Sequence, residues 1–152
     1  MSELSRDELR DLYRELILDH ARSPRHFGKL PGFTHTARGL NPLCGDKLDL
    51  YLDIDGQGMI ADAAFEGSGC AISVASASLL TDAVIGMETT RALDFSAILI
   101  DALKGRNDSA DLGKLRALEG VREFPSRVKC ATLAWHAMNS AIRRDEQTAS
   151  TE

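Results

Sequence analysis

The stretch KLDLYLDI, residues 47–54, decides the fold class. Leucine or isoleucine stands at every second position, with lysine, aspartate or tyrosine between, which is typical of a strand with one buried and one wet face. The turn-forming residues DGQG follow at 55–58, and residues 59–65 form a second apolar segment. The sequence therefore predicts an antiparallel hairpin, ended by the Gly-Ser-Gly at 67–69.

Helical patterns flank this hairpin. Residues 5–22 carry apolar side chains at helical spacing, and Ser5 and Glu8 match the spacing of a capping box. Further helices are predicted from residue 70 or 71 to 84, from 89 or 90 to about 104, near 112–118 and from 125 to about 144, with a short strand around 33–38. We therefore predict an α+β fold, in which a small antiparallel sheet of about three strands packs against helices.

Length and composition limit the function classes. A chain of 152 residues is expected to form one domain, residues 1–152, with a frayed polar tail at 145–152. The net charge of -5 argues against broad nucleic-acid or anionic-membrane binding. No run approaches the ~20 apolar residues of a membrane span, and the first residues lack the pattern of a signal peptide. We expect a cytoplasmic location, with no nucleic-acid or membrane partner.

The three cysteines are the candidate reactive or metal-binding residues of the chain. An odd number of cysteines in a reducing cytosol favours free thiols, packing residues or metal ligands over disulfides. Cys44 lies in a Pro/Gly turn two residues before Asp46, so three thiols and one carboxylate form a possible four-ligand set. Cys70 and Cys130 fall near predicted helix N-termini, where open backbone donors stabilise a thiolate. No CxxC pair is present, so spacing alone leaves unligated thiols as the alternative.

Histidines are the competing ligands. His136 follows Cys130 by six residues, about 240° around a helix, so these two side chains cannot easily share a metal ion. His26 and His35 lie in predicted loops and remain alternatives as a fourth ligand. His20 falls in the last turn of the first helix, where we expect a partial positive charge to interact with the helix dipole.

Other catalytic patterns are incomplete. Cys44 has no evident histidine partner of the kind a cysteine hydrolase needs, and residues 67–69 lack the remaining positions of a phosphate-binding loop. Arg127 and Lys129 stand beside Cys130. They are either solvated surface charges or cations that lower the pKa of a neighbouring thiol and attract an anionic sulfur.

Three separated motifs stand out in the chain: NPLCGD at 41–46, FEGSGCAISVASAS at 65–78 and SRVKCA at 126–131, together with Leu12-Tyr13, Asp19-His20 and Ser23-Pro24-Arg25 near the first helix. In combination they resemble the IscU/NifU-like iron–sulfur cluster assembly family. The resemblance covers residues 9–143, and the SufU branch is favoured over IscU. The chaperone-binding Leu-Pro-Pro-Val-Lys segment of IscU is missing, Lys129 stands where IscU usually has histidine, and the long gap before Cys130 fits an insertion within residues 95–122.

The resemblance implies both a site and an activity. It implies an IscU/SufE-like fold and a zinc ion held by Cys44, Asp46, Cys70 and Cys130, with no residues for an organic cofactor. It implies a zinc-dependent sulfurtransferase in which Cys44 accepts persulfide sulfur from a SufS-type pyridoxal-phosphate cysteine desulfurase and stimulates it. Arg127 is expected to steer the persulfide. Downstream Suf assembly proteins are further expected partners, and no independent small-molecule turnover is expected.

Two alternatives use the same four residues. In the first, the chain is a scaffold on which a transient [2Fe–2S] cluster is assembled and passed on, since thiolates suit both zinc and iron–sulfur clusters. In the second, the zinc is purely structural.

Overall fold

The structure is a computed structural model that describes residues 6–106, 112–144 and 149–150. One helix precedes three consecutive strands, and helical segments then follow up to a last short strand. In order, the elements are α1 (Arg6–Arg22), β1 (His35–Asn41), β2 (Asp46–Ile54), β3 (Ile60–Ser68), α2 (Ala71–Val84), α3 (Thr89–Leu103), a 3₁₀ segment (Gly113–Glu123), α4 (Pro125–Arg143) and β4 (Ala149–Ser150).

The sheet has the strand order β3-β2-β1-β4. β1 pairs antiparallel with β2 and β2 with β3, so the hairpin and the α+β class predicted from the sequence are confirmed. β4 is an addition that the sequence pattern did not predict. It pairs parallel to β1 through residues 149 and 150, which belong to the tail expected to be frayed, while 145–148 and 151–152 lie outside the described residues.

β3 extends three residues beyond the predicted end at Phe65 and ends within the Gly-Ser-Gly at 67–69 that is predicted to break it. The strand continues to Ser68, which pairs with Lys47 of β2. A Cβ on Gly67 would overlap the backbone oxygen of Lys47, and the φ of Gly67 is +155°, which side chains rarely adopt. The glycine therefore allows the two backbones to approach closely, and the strand carries its pairing right up to the start of α2.

The core lies between the sheet and the pair α2 and α4. Small residues line the buried side of α2 and let α4 pack closely against it. Trp135 of α4 is fully buried and donates its indole N–H to Ser76 Oγ of α2 at 3.1 Å. A Cβ on Gly39 of β1 would lie 3.0 Å from Leu133 Cδ1, so α4 also sits tightly on the sheet. This packing fixes the start of α4 next to the β1–β2 turn.

His20 differs from its expected role. It is 2% exposed, and its Nδ1 shares a 2.7 Å hydrogen bond with Ser78 Oγ. Burial lowers the pKa of His20, with the nearby Arg25 cation adding to the effect. The expectation of a partial positive charge at the end of α1 is therefore wrong, because α1 turns this face onto α2 rather than to solvent. Ser5, the first residue of the expected capping box, lies outside the described residues.

The other boundaries lie close to their predicted positions. The short helix near 112–118 is a longer 3₁₀ segment that runs to Glu123. The strand expected at 33–38 is β1, which starts at His35 and continues to Asn41. Within the parts of the chain that the structure describes, no helix combines the length and the apolar character needed to cross a bilayer.

Candidate metal centre

The β1–β2 turn presents the first two candidate ligands. Asn41 ends β1, Asp46 begins β2, and these two residues are paired in the ladder, so residues 42–45 form a tight connection. Gly45 has a φ of +72°, the left-handed conformation that favours glycine. Leu43 is 62% exposed, and Cys44 beside it is half-buried. The turn therefore holds Cys44 at the surface while Asp46 points inward.

Asp46 is anchored by two donors from other parts of the chain. The residue is 1% exposed. Its Oδ1 accepts the backbone N–H of Cys70 at 2.9 Å, and its Oδ2 accepts Asn41 Nδ2 at 3.0 Å. Because Cys70 is the residue just before α2, the carboxylate also lies at the positive end of that helix. Gly69 makes room for this arrangement, since a Cβ there would overlap Asp46 Oδ1.

Cys130 closes the site from the opposite side. It lies in the second turn of α4 and is 0% exposed. Its thiol can donate to the backbone oxygen of Ser126 at 3.6 Å. Burial raises the pKa of Cys130, and hydrogen bonds with Cys44, Cys70 and Asp46 raise it further. A bound cation would offset the free-energy cost of holding a thiolate in this fully buried position.

Three of the four predicted ligands are brought together. One ligand atom each from Cys44, Asp46 and Cys130 lies within 4.8 Å of the other two, and we call these residues the thiol–carboxylate group. Cys70 is half-buried and interacts with the Cys130 thiol, but its sulfur is not within that distance of all three members. The structure thus places Cys70 at the edge of the group.

Arg127 lies beside the same thiols. Its side chain is exposed at the start of α4, one turn before Cys130. The negative charge of a Cys70 thiolate raises the pKa of Arg127, and hydrogen bonds to Cys130 and Cys70 act in the same direction. A guanidinium at this position can pair with a sulfur anion at Cys70 or Cys130.

The donor set fits a metal ion of intermediate or soft character. Thiolates with one carboxylate are ligands that zinc accepts, and thiolates also hold iron–sulfur clusters. Cys44, Asp46 and Cys130, joined by Cys70, would hold such an ion.

No histidine joins the thiol–carboxylate group in the described part of the chain. His26 pairs with Asp82, its Nε2 lying 3.3 Å from the carboxylate. His35 shares a 2.7 Å hydrogen bond with Thr34 and accepts from Arg144. The two histidines left open as a fourth ligand therefore lie elsewhere.

Asn41 is the residue that sequence reasoning missed. It is 0% exposed, and its Nδ2 donates to Asp46 and, at 3.5 Å, to Cys130 Sγ. Its backbone oxygen accepts the N–H of Cys44 at 3.3 Å. The available signal was a polar residue at the end of a buried strand, immediately before the Pro-x-Cys turn.

Comparison with known proteins identifies the family of the chain. The family model of the NifU-like N-terminal domain matches residues 12–148. The zinc-dependent sulfurtransferase SufU of Bacillus subtilis (strain 168) is 44% identical over 137 residues, 89% of this chain and 92% of that protein. The iron–sulfur cluster assembly scaffold protein IscU of Streptococcus pyogenes serotype M1 is 42% identical over 139 residues, 90% of this chain and 86% of that protein.

The fold agrees as well. A solved structure from Fervidobacterium islandicum AW-1, a candidate iron–sulfur cluster assembly scaffold protein for the SUF system, superimposes with a TM-score of 0.79 at 33% identity, covering 84% of this chain and 94% of that one. The resemblance read from the three motifs is thereby confirmed. The chain belongs to the family of NifU-like N-terminal domains.

Proposed function

We propose that this chain acts in iron–sulfur cluster biogenesis as a zinc-dependent sulfur acceptor. It takes persulfide sulfur from a SufS-type pyridoxal-phosphate cysteine desulfurase, stimulates that enzyme, and passes the sulfur to downstream Suf assembly proteins. Two findings support this proposal. The Bacillus subtilis relative is named a zinc-dependent sulfurtransferase, and three proposed ligands, Cys44, Asp46 and Cys130, already lie together.

The observation that carries the proposal is the unequal exposure of the thiols. Cys130 on α4 is completely buried, whereas Cys44 and Cys70 are half-buried, and Cys44 lies in a turn whose neighbours Pro42, Leu43 and Gly45 are exposed. A partner can therefore reach Cys44 without disturbing a helix. Asp46 and Cys130 are held by buried hydrogen bonds and serve as the fixed ligands.

The proposed transfer is a thiol–persulfide exchange. When bound, Zn²⁺ keeps its cysteine ligands deprotonated at neutral pH. The Cys44 thiolate, which such an ion would help to hold at rest, attacks the outer sulfur of the desulfurase cysteine persulfide. The S–S bond breaks, the desulfurase cysteine leaves as a thiolate, and the transferred sulfur keeps its proton on Cys44. No external oxidant or reductant is needed. Arg127, which lies beside the neighbouring thiols, steers the incoming persulfide.

A scaffold function is the second candidate. The same donor set can hold a [2Fe–2S] cluster, and the Streptococcus pyogenes relative is named a scaffold protein. Lys129 at the position before Cys130 and the missing IscU-type chaperone segment favour transfer. The visible spectrum of anaerobically purified protein separates the two candidates, because a red-brown protein supports a scaffold and a colourless protein with one zinc supports transfer.

The decisive experiment measures desulfurase turnover with the zinc-loaded chain and its variants. Cys44→Ala should abolish stimulation and the mass gain of one sulfur atom on the chain. Arg127→Ala should slow sulfur acceptance while zinc content stays unchanged, because Arg127 contributes charge and not ligation. Arg38→Ala is the matched control, since Arg38 is also exposed but pairs with Asp49 on the sheet. Undiminished stimulation by both the Cys44 and Arg127 variants would falsify the proposal.

A further inference from the structure

Asn41 contacts every member of the thiol–carboxylate group. Its side-chain amide donates to Asp46 Oδ2 at 3.0 Å and to Cys130 Sγ at 3.5 Å, and its backbone oxygen accepts from Cys44. The first acceptor lies on β2 and the second lies on α4, 89 residues away from Asn41 in sequence. One side chain thus connects two elements that approach each other only in the folded chain.

The chemistry of the amide limits what these contacts can be. Asp46 and the Cys130 sulfur are both acceptors here, and an NH₂ group supplies two protons, one for each of them. Asparagine is therefore suited to hold a carboxylate and a thiolate side by side. Aspartate at the same position would have the same shape but no proton to donate and would repel Asp46.

The contacts of Asn41 are unequal in kind. The side chain of Asn41 holds Asp46 and Cys130, whereas Asn41 contacts Cys44 through its backbone oxygen, which accepts the Cys44 N–H at 3.3 Å. Asn41 Oδ1 has no hydrogen-bond partner among the residues that the structure describes, although the side chain is fully buried. Leucine could fill the same space without burying an unpaired acceptor, so packing alone does not explain why an amide stands at this position.

We propose that Asn41 is a positioning residue that locks Asp46 and Cys130 together as a pair, so that Cys44 is the ligand that exchanges. The inference rests on the metal site of the proposed function. It adds that the division between fixed and exchangeable ligands is set by a residue that does not itself bind the metal.

The proposal predicts a loss of metal affinity in two variants. Asn41→Asp and Asn41→Leu should each raise the Kd for Zn²⁺ by about 10–100-fold, as the loss of a partner to metal ligands typically does. In the Co²⁺-loaded protein, both variants should change the ligand-field bands, because the carboxylate and the Cys130 sulfur are no longer oriented together. Asn139→Leu is the matched control. Asn139 also carries a buried amide oxygen without a partner in the described residues, but it lies nine residues beyond Cys130 on α4.

A double-mutant cycle tests the exchange itself. Cys44→Ala alone should leave Zn²⁺ bound by the remaining ligands with a modestly weaker affinity. With Asn41→Leu added, the Kd should rise by more than the product of the two single effects, because the remaining pair is no longer fixed. With Asn139→Leu added instead, the effects should multiply.

The outcomes separate this inference from the function on which it rests. A purely structural role for Asn41 would lower the melting temperature of the metal-free chain in Asn41→Leu but leave the Kd, the Co²⁺ spectrum and the double-mutant cycle unchanged. That result overturns the inference while the sulfur-acceptor function stands. A wild-type chain that binds no stoichiometric Zn²⁺ overturns the metal site first, and the positioning role with it.

Discussion

Replacing Gly69 by alanine should impair metal binding while preserving the fold. A Cβ at this position would overlap Asp46 Oδ1 and lie 3.0 Å from Asp46 Cγ. Carbon atoms in ordinary contact are about 3.5–4.0 Å apart, so the carboxylate must withdraw by roughly 0.5–1 Å. Metal–ligand distances tolerate only about 0.2 Å of deviation, so Asp46 would move out of ligating position.

The same displacement carries a stability cost. Asp46 accepts from the Cys70 N–H at 2.9 Å and from Asn41 Nδ2 at 3.0 Å, and a shift of this size stretches at least one of these bonds. A hydrogen bond to a charged group contributes about 1.5–3 kcal/mol, so the free energy of unfolding should fall by about that amount. Zn²⁺ affinity should fall by about 10–100-fold or more, because a ligand itself is misplaced.

Two measurements check this expectation. Zn²⁺ affinity is obtained by competition with a chelating dye, and stability from urea unfolding of the metal-free chain. Gly56→Ala is the matched control, because a Cβ on Gly56 meets nothing within 4 Å and its backbone is not left-handed. If Gly69→Ala kept the affinity and the stability of Gly56→Ala, the steric account of the Asp46 site would be refuted.

Two further predictions concern titratable groups away from the site. Burial lowers the pKa of His20, so the unfolded chain takes up a proton that the folded chain excludes, and stability should fall below about pH 6.5. Urea titrations from pH 8 to 5 should show a shallower decline in His20→Gln; an equal slope would contradict this. The hydrogen bond to Glu66 raises the pKa of Tyr51 to about 12. Tyr51→Phe should therefore lower the unfolding free energy by about 1 kcal/mol at neutral pH, a difference that shrinks between pH 10 and 12 and that Tyr13→Phe should not reproduce.

Local patterns predicted much of the fold. The alternation at 47–54 and the turn at 55–58 correctly predict the hairpin, because the two-residue period of a strand is visible in neighbouring residues of the sequence. β3 runs three residues further than the apolar segment 59–65 predicts, because the role of Gly67 depends on Lys47 across the ladder and not on its neighbours in sequence. β4 was missed for the same reason, since a two-residue strand is defined only by the edge it pairs with.

For the candidate site, the types of ligand could be predicted from the sequence, but the contacts that orient them could not. The thiol-and-carboxylate composition could be read from the motif around Cys44, but the hydrogen bonds that orient it join residues far apart in sequence. Cys70 contacts Asp46 across 24 residues and Asn41 contacts Cys130 across 89. The burial of His20 likewise depends on Ser78, 58 residues later. A single sequence carries no local signal for such contacts.

The separation of Cys130 from the other two cysteines along the sequence has a consequence during translation. Cys44 is synthesised 86 residues before Cys130, and Cys70 follows it, leaving a stretch of 60 residues before Cys130. At about 5–20 residues per second, a ribosome needs roughly 3–12 s to add that stretch. During those seconds the growing chain carries two thiols and the Asp46 carboxylate without the helix that covers them. The nascent protein is then open to oxidants and to stray metal ions, and this vulnerability ends only when α4 docks.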